Sequence, residues 1–193
     1  MNSSQQTPDG IRQQIWKELV RATRDRHHAW RTPVLATAMR DGAVNARTVV
    51  LRKAVLAETG GLLEIYTDQR SAKVGELIVQ PSACLVFWSS RLNWQLRIRA
   101  DVTIRNDGPY VESLWQSLKQ TRAARDYMSL RSPGMALVQT CDDAERNVLK
   151  NEAPKTYFSV LTARVLDIDW LELGREQHRR AKITGDQFLW LEP

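Results

Sequence analysis

The sequence predicts a mainly β chain with peripheral helices, an α+β barrel or sandwich rather than a doubly wound fold. Three observations carry that reading. Short runs of β-branched and aromatic residues recur from Val34 to Leu191, an Asp-Gly pair separates two of them, and few stretches carry helical periodicity. The 193 residues, 42% hydrophobic and 26% charged, suffice for a full core and exclude collagen-like, low-complexity and wholly disordered classes.

Taken in order, Thr7-Pro8-Asp9 followed by Ile11, Ile15, Trp16, Leu19 and Ala22 predicts a capped amphipathic helix over about 8–26. Val34–Met39 and the run from Val44 to Leu51 flank Asp41-Gly42, the signature of a tight hairpin. Leu62–Thr67 and Ala83–Trp88 read as a second pair of strands, separated by a short helix carrying Val74, Leu77 and Ile78 and stopped by Pro81. From Asn93 to Ile104, apolar Trp94, Leu96, Ile98, Ala100 and Val102 alternate with Gln95, Arg97, Arg99 and Asp101, giving a strand with a basic outer or cavity-facing side. Gly108-Pro109 opens a helix with Val111, Leu114, Trp115 and Leu118, and Asp142–Glu145 begins another with acids at its positive end. Two β runs close the chain, Tyr157 to Ile168 and Gln187–Leu191. No repeat, linker or composition break divides residues 1–193, which read as a single domain.

No run approaches 18 apolar residues and the start, Met1–Gln6, is polar, which argues against a spanning helix or a secretory signal. Cys84 and Cys141 share no ligand spacing with His27, His28 or His178, so no protein-held metal is expected and a cytoplasmic setting is simplest. Net charge is +6, concentrated in residues 11–53, with ten Lys/Arg against three Asp/Glu, and in residues 91–131, with eight against four. Such regions suit phosphorylated partners of any size or serve as solvated surface. Neither a recognition helix nor an aromatic-interleaved basic strand supports nucleic-acid binding. The G-x-G-x-x-G and G-x-x-x-x-G-K-[ST] loops do not occur.

The most informative local feature is Arg47-Thr48-Val49-Val50-Leu51-Arg52, read as one strand, followed by Tyr66-Thr67-Asp68 and Arg70-Ser71-Ala72-Lys73. A phosphate dianion calls for an Arg fork, a Lys point charge and hydroxyls. Arg47, Thr67, Ser71 and Lys73 supply that set if the two strands pair and the following turn returns the helix start to Arg47. The alternative is exposed strand arginines and a serine that merely caps a helix.

The order of these pieces resembles the pyridoxamine 5′-phosphate oxidase family of FMN-binding split β-barrels. Its Arg-x-Val-Leu-Leu-Lys strand, Tyr-Thr pair, Ser-Arg-Lys turn, Phe-x-Trp run and Arg-Gln are matched by Arg47–Arg52, Tyr66-Thr67, Ser71-Ala72-Lys73, Phe87-Trp88 and Trp94-Gln95. Near the end, Trp170, then Glu176-Gln177-His178-Arg179-Arg180, and finally Trp190–Pro193 stand where the family has Trp, Arg-Leu-His-Asp-Arg and Arg-Leu-x-Pro. The similarity runs from about residue 30 to the C-terminus.

The resemblance implies a homodimer with FMN in an interface groove. Arg47, Thr67, Ser71 and Lys73 would hold the phosphate and ribityl region, and Thr48, Arg52 and Tyr66 belong to the same motifs. The backbone of Val49, Val50 and Leu51 would lie beside the ring, with Gln95, Trp170 and Arg180 completing the site, although Trp170 could instead close the barrel core. Arg52 and His178 are the expected substrate contacts, with His178 alternatively a structural donor. The substrate site departs from the pattern: Ala72 replaces an Arg, with Arg70 nearby, and Glu176 replaces another. The Tyr and Arg that grip the substrate phosphate fall on Ser113 and Ser117, leaving Arg122 and Arg125 as replacements or as solvated residues. The function implied is an FMN-dependent oxidoreductase acting on pyridoxamine or pyridoxine 5′-phosphate or another small anionic substrate, the alternative being a non-catalytic flavin carrier or sensor. No protein acid or base is nominated.

Overall fold

The computed structural model describes residues 7–57, 60–129, 131–136 and 156–193. The expected helix start at Asp142–Glu145 and Cys141 lie outside these residues. Helix α1 (Pro8–Arg24) starts where Thr7 Oγ1 accepts the Gly10 N–H at 3.2 Å and buries Ile11, Ile15, Trp16, Leu19 and Ala22. It ends two residues before the expected boundary, and the Arg31 guanidinium donates to the Ala22 and Thr23 carbonyls at 3.3 and 3.0 Å, satisfying acceptors at its end.

A 3-10 turn at Ala29–Arg31 follows, then three short strands, β1 (Val34–Ala38), β2 (Val44–Thr48) and β3 (Leu51–Val55). Then come β4 (Leu62–Asp68), α2 (Ala72–Val79), β5 (Ser82–Ser89) and β6 (Trp94–Arg105). The remainder comprises α3 (Gly108–Leu118), a 3-10 turn at Arg122–Tyr127, β7 (Phe158–Glu172), β8 (Arg179–Thr184) and β9 (Gln187–Leu191). Asp41-Gly42 forms the expected hairpin turn, with Gly42 at φ +85°.

The sheet runs β2-β1-β5-β6-β7-β4-β3, with β8 on β7 and β9 on β8, and every pairing among the described residues is antiparallel. Strands β2 and β3 stand at opposite ends of that path, yet only Val49 and Val50 separate them along the chain. The step from Thr48 to Leu51 reaches at most about 11 Å. The sheet therefore curls until its ends approach without pairing, an open-sided barrel. This corrects the reading of Arg47–Arg52 as one strand: the Val49 N–H donates to the Pro33 carbonyl at 2.9 Å as the last bond of the β1–β2 register, Pro33 has no N–H to return it, and by Leu51 the chain is paired with Ile65 on β4. It also separates the runs at 62–67 and 83–88, which pair with other strands. Strand β8 was not anticipated.

Inside the barrel lie Leu35, Leu51, Ile65, Leu85, Phe87, Leu96, Ile98 and Trp170. Trp94 meets Trp170 edge to face at 5.2 Å, and Trp30 meets Phe87 at 6.1 Å. Helix α1 closes one side against β3, its Trp16 ring lying over Gly61, where an added Cβ would stand 2.2 Å from the indole. A smaller cluster, Val111, Tyr127, Phe158 and Val160, seats α3.

A buried polar knot ties α1 down. Glu18 accepts from His28 Nε2 at 2.7 Å, Arg91 Nη2 at 2.7 Å and Gln14 Nε2 at 2.9 Å, while His28 Nδ1 accepts the Trp30 N–H. That acceptor role leaves the imidazole proton on Nε2, facing the carboxylate. Burial pushes the Glu18 pKa up, but the hydrogen bonds from His28 and Arg91 outweigh it and the net direction is down. A carboxylate depressed in the folded state contributes stability above the ordinary range, lost as pH falls through its lowered pKa. Glu18→Ala is expected to cost about 2 kcal/mol, by leaving the His28 donor unpaired, and to flatten the acid limb of stability in urea titrations run at several pH values.

Candidate functional site

The curl of the sheet assembles a cradle from four elements. Arg47 on β2 lies opposite buried Leu35, and Leu35 lies opposite buried Leu85, so Arg47 is on the barrel's inner face. On β4 the period of two sends Thr67 to the inner face and Tyr66 to the outer one. The turn after β4 then delivers Ser71 and Lys73 at the start of α2. Lys73 Nζ donates to Thr67 Oγ1 and Ser71 Oγ, both at 3.0 Å, and the two hydroxyls are 3.1 Å apart. Ser71 is the α2 N-cap by position, but its hydroxyl donates to the Asp68 carbonyl at 2.7 Å instead of capping.

Burial lowers the Lys73 pKa, and the positive charge of Arg47 lowers it further. Two cations held together, one half-buried beside two hydroxyls, are the donor set that a phosphate dianion fits. Pairing alone would not have produced this set, since β4 pairs with β3 and β7 rather than β2; the curl does.

Three further residues belong to the cradle and were missed in the sequence. Glu76 on α2 accepts from Arg47 Nη2 at 2.8 Å, Asn45 Nδ2 at 2.8 Å and Thr37 Oγ1 at 2.5 Å. Arg47 Nη1 also donates to Thr37 Oγ1 and to the Leu35 carbonyl. Strand spacing puts Asn45 on the face of Arg47, and helical spacing puts Glu76 one turn beyond Lys73, so both could have been read from periodicity.

The other expected site residues are distributed elsewhere. Thr48 is exposed at the end of β2, Val49 and Leu51 are buried and Val50 is partly buried. Arg52 lies at a bulge, its guanidinium 5.5 Å from the centre of the Tyr66 ring and its Nε buried without a partner. Tyr66 itself packs on Phe158 at 5.1 Å, and burial, then the nearby Glu64 and Tyr110, push its hydroxyl up to about 12. Gln95 and Arg180 are on the outer face, in a row running Trp88, Gln95, Leu171, Arg180 and Leu191 across β5 to β9. Arg180 donates to both oxygens of Asp169 at 3.1 and 2.8 Å. Trp170 has no exposed surface and lies between Trp94 and Trp190 on the face opposite Gln95, which makes it part of the core. His178 is exposed just before β8, in a recess shared with Glu176.

The substrate-side expectations fare unevenly. Arg70 does not stand in for the arginine missing at Ala72: it forks onto Asp68 at 3.0 and 2.6 Å, lies 3.3 Å from the centre of the Tyr157 ring and donates to the Ser129 carbonyl at 2.8 Å. Ser113 and Ser117 are exposed and their hydroxyls bond to carbonyls of their own helix. Arg122 and Arg125 are exposed. The basic side of β6 is outer and largely neutralised, with Arg97 paired to Asp169 and Arg99 to Asp167.

Comparison with known proteins agrees with the fold. Residues 13–106 match the family described as pyridoxamine 5′-phosphate oxidase, FMN-binding domain. A pyridoxine/pyridoxamine 5′-phosphate oxidase from Leptospira interrogans is 42% identical over 69 residues, 36% of this chain and only 30% of that protein's length. Its namesake from Mycolicibacterium paratuberculosis is 28% identical over 180 residues, covering 83% of this chain and 74% of its own. A solved pyridoxamine 5′-phosphate oxidase-related, FMN-binding protein from Nostoc punctiforme superposes with a TM-score of 0.72 over 97% of this chain and 98% of that one, at 24% identity.

Because Lys73 is depressed in the folded state, its charged form disfavours the ligand-free fold, and stability rises as pH climbs through that depressed value toward the ordinary lysine range. Lys73→Met is therefore expected to raise the melting temperature of the ligand-free protein by about 2–4 °C at neutral pH, equivalent to about 1 kcal/mol at this size. A scan without added ligand checks this.

Proposed function

Given that the chain belongs to the pyridoxamine 5′-phosphate oxidase-like family of FMN-binding split barrels, we propose that it is a homodimeric, cytoplasmic, FMN-dependent oxidoreductase whose small substrate is not a phosphorylated B6 vitamer. FMN is the cofactor of the family's domain. When bound, it supplies hydride or electron exchange at N5. The chain's own residues bind, orient and exclude water.

The observation that carries the reading is Lys73, half-buried beside Arg47 and hydrogen-bonded to Thr67 and Ser71. In this reading Arg47, Thr67, Ser71 and Lys73 grip the flavin phosphate. The backbone from Val49 to Leu51, where the chain crosses between the barrel's two edges, flanks the ring. Gln95 would both donate to and accept from the ring edge, and Arg180 would place a cation there. Trp170 would act from beneath, through packing. The supports for two subunits are that the cradle is on an inner face and Gln95 and Arg180 on an outer one, so that one chain's outer sheet must meet another's cradle. Trp88, 45% exposed beside Gln95, offers apolar area for that meeting. Cytoplasmic residence accords with the free thiol of Cys84.

Against a B6 phosphate stand Ser113 and Ser117, bonded to their own helix, Glu176 in place of an arginine, and Arg52 turned onto Tyr66. Removing a charged donor from a phosphate corresponds to roughly a 10- to 100-fold loss of affinity. Arg47→Met is expected to weaken FMN binding by that factor in a fluorescence titration. Oxygen uptake with pyridoxamine or pyridoxine 5′-phosphate should stay well below about 1 turnover per second. Brisk turnover would refute the substrate assignment, a colourless protein that takes up no FMN would refute the whole reading, and a yellow protein that no electron donor reduces would make it a carrier. Trp88→Asp is expected to shift the protein from dimer to monomer in sedimentation and to weaken FMN binding at the same time.

A further inference from the structure

Glu76 is out of place by simple electrostatics. A carboxylate next to the two cations of an anion cradle weakens the cradle's attraction for phosphate, and surface positions for a helix glutamate are plentiful. Yet Glu76 is held from three sides. Thr37 Oγ1 on β1 donates at 2.5 Å, Asn45 Nδ2 on β2 at 2.8 Å, and Arg47 Nη2 at 2.8 Å. Two of those donors are neutral, so the carboxylate is fixed whether or not Arg47 is present. Its side chain keeps only 10% of its exposure.

The arginine, by contrast, depends on its neighbours. Arg47 reaches from an edge strand with four rotatable side-chain bonds, and a free guanidinium would sample many directions. Here Nη2 is bound to Glu76, and Nη1 to Thr37 Oγ1 and the Leu35 carbonyl. Binding both Nη atoms fixes the plane of the guanidinium; three of its five N–H groups are used, which leaves the Nε–H and one Nη2 N–H for a ligand. We propose that Glu76 is the positioning residue of the phosphate cradle, anchored by Thr37 and Asn45 so as to aim Arg47 and to keep the second cation, Lys73, charged. The proposal rests on the reading of the cradle as an FMN phosphate site.

The second role follows from the charges that face Lys73. Burial and then Arg47 disfavour its protonated form, and Asp68 and Glu76 favour it. Glu76 remains ionised at neutral pH: burial pushes its pKa up, but the bonds from Thr37, Asn45 and Arg47 bring it below the ordinary range. Neutralising Glu76 removes one of the two anions that hold the proton on Lys73. Affinity for a dianion should then fall away at a lower pH than in the parent protein.

The test compares FMN with riboflavin, which carries the same ring and ribityl chain without the phosphate. Quenching titrations are run from neutral to alkaline pH on the parent protein, Glu76→Gln and Thr37→Val. Both variants should bind FMN more weakly, Glu76→Gln by about tenfold, as expected for one misdirected charge-assisted bond. Riboflavin affinity should stay unchanged, and the alkaline loss of FMN binding should move to lower pH in Glu76→Gln. Tighter FMN binding by Glu76→Gln would show that the carboxylate merely repels the phosphate, and would overturn the proposal. So would an equal loss for both flavins, which marks a general structural role. Thr37→Val keeps the test open if Glu76→Gln does not fold, because it loosens the anchor without removing the charge. A parent protein that prefers riboflavin to FMN would instead defeat the site reading itself.

Discussion

The structure depends on keeping two positive charges near each other at the open side of a barrel. Arg47 and Lys73 come from elements 26 positions apart in sequence, and what unites them is the path of the sheet. The break at Val49–Val50 puts β2 and β3 at opposite ends of one antiparallel sheet and at the same time forbids those ends from separating. Like charges brought together by such a closure raise the energy of the ligand-free chain, and Glu76 offsets part of it. Lys73 makes the cost visible in the direction of its pKa. The core supplies the stability that tolerates it: the Trp94–Trp170 and Trp30–Phe87 pairs fill the interior, and α1 is locked by Glu18.

Opposite faces of one sheet cannot serve one small ligand. The inner face carries the cradle, and the outer face carries Gln95, Arg180 and the ion-pair ladder of Arg97, Asp169, Arg99 and Asp167. That ladder changes the meaning of the basic strand. Arg97 and Arg180 share Asp169, and Arg99 and Lys182 share Asp167, so every cation of this ladder is paired although the set keeps an excess of positive charge. A ladder whose cations are already paired, beside exposed Trp88, suits contact with another folded surface better than contact with nucleic acid.

Much of this was legible from spacing alone. The stripe of α1, the Asp-Gly hairpin, the alternation of β6 and the Pro81 stop each follow a local rule, and each element stands where that rule puts it. Two features were illegible for physical reasons. The break inside Arg47–Arg52 has no local signal, because Val-Val favours a strand; it comes from the change of partner, from Pro33 on the β1 side at Val49 to Ile65 on β4 at Leu51. Strand β8 reads Arg179-Arg180-Ala181-Lys182-Ile183-Thr184, with just two apolar inward positions, and its charged side is stabilised by aspartates on β7 that no window around β8 contains. Within the site, the cations and hydroxyls were readable as a set, whereas the face each residue occupies required the register.

The proposed reading, a cofactor side kept and a substrate side changed, has the same physical basis. Arg47, Thr67, Ser71, Lys73 and Glu76 are fixed by strand register, a buried turn and mutual hydrogen bonds, so replacing one disturbs the others. Ser113 and Ser117 are instead on the exposed side of α3, and their hydroxyls bond only to their own helix. Nothing in the core senses which side chains stand there, and surface substitutions of that kind usually alter stability by no more than about 0.5 kcal/mol. Arg52 is intermediate: it sits at a bulge with its guanidinium 5.5 Å from the centre of the Tyr66 ring, so packing sets its direction. On the proposed reading, specificity would be written on the part of the molecule where rewriting costs the fold least.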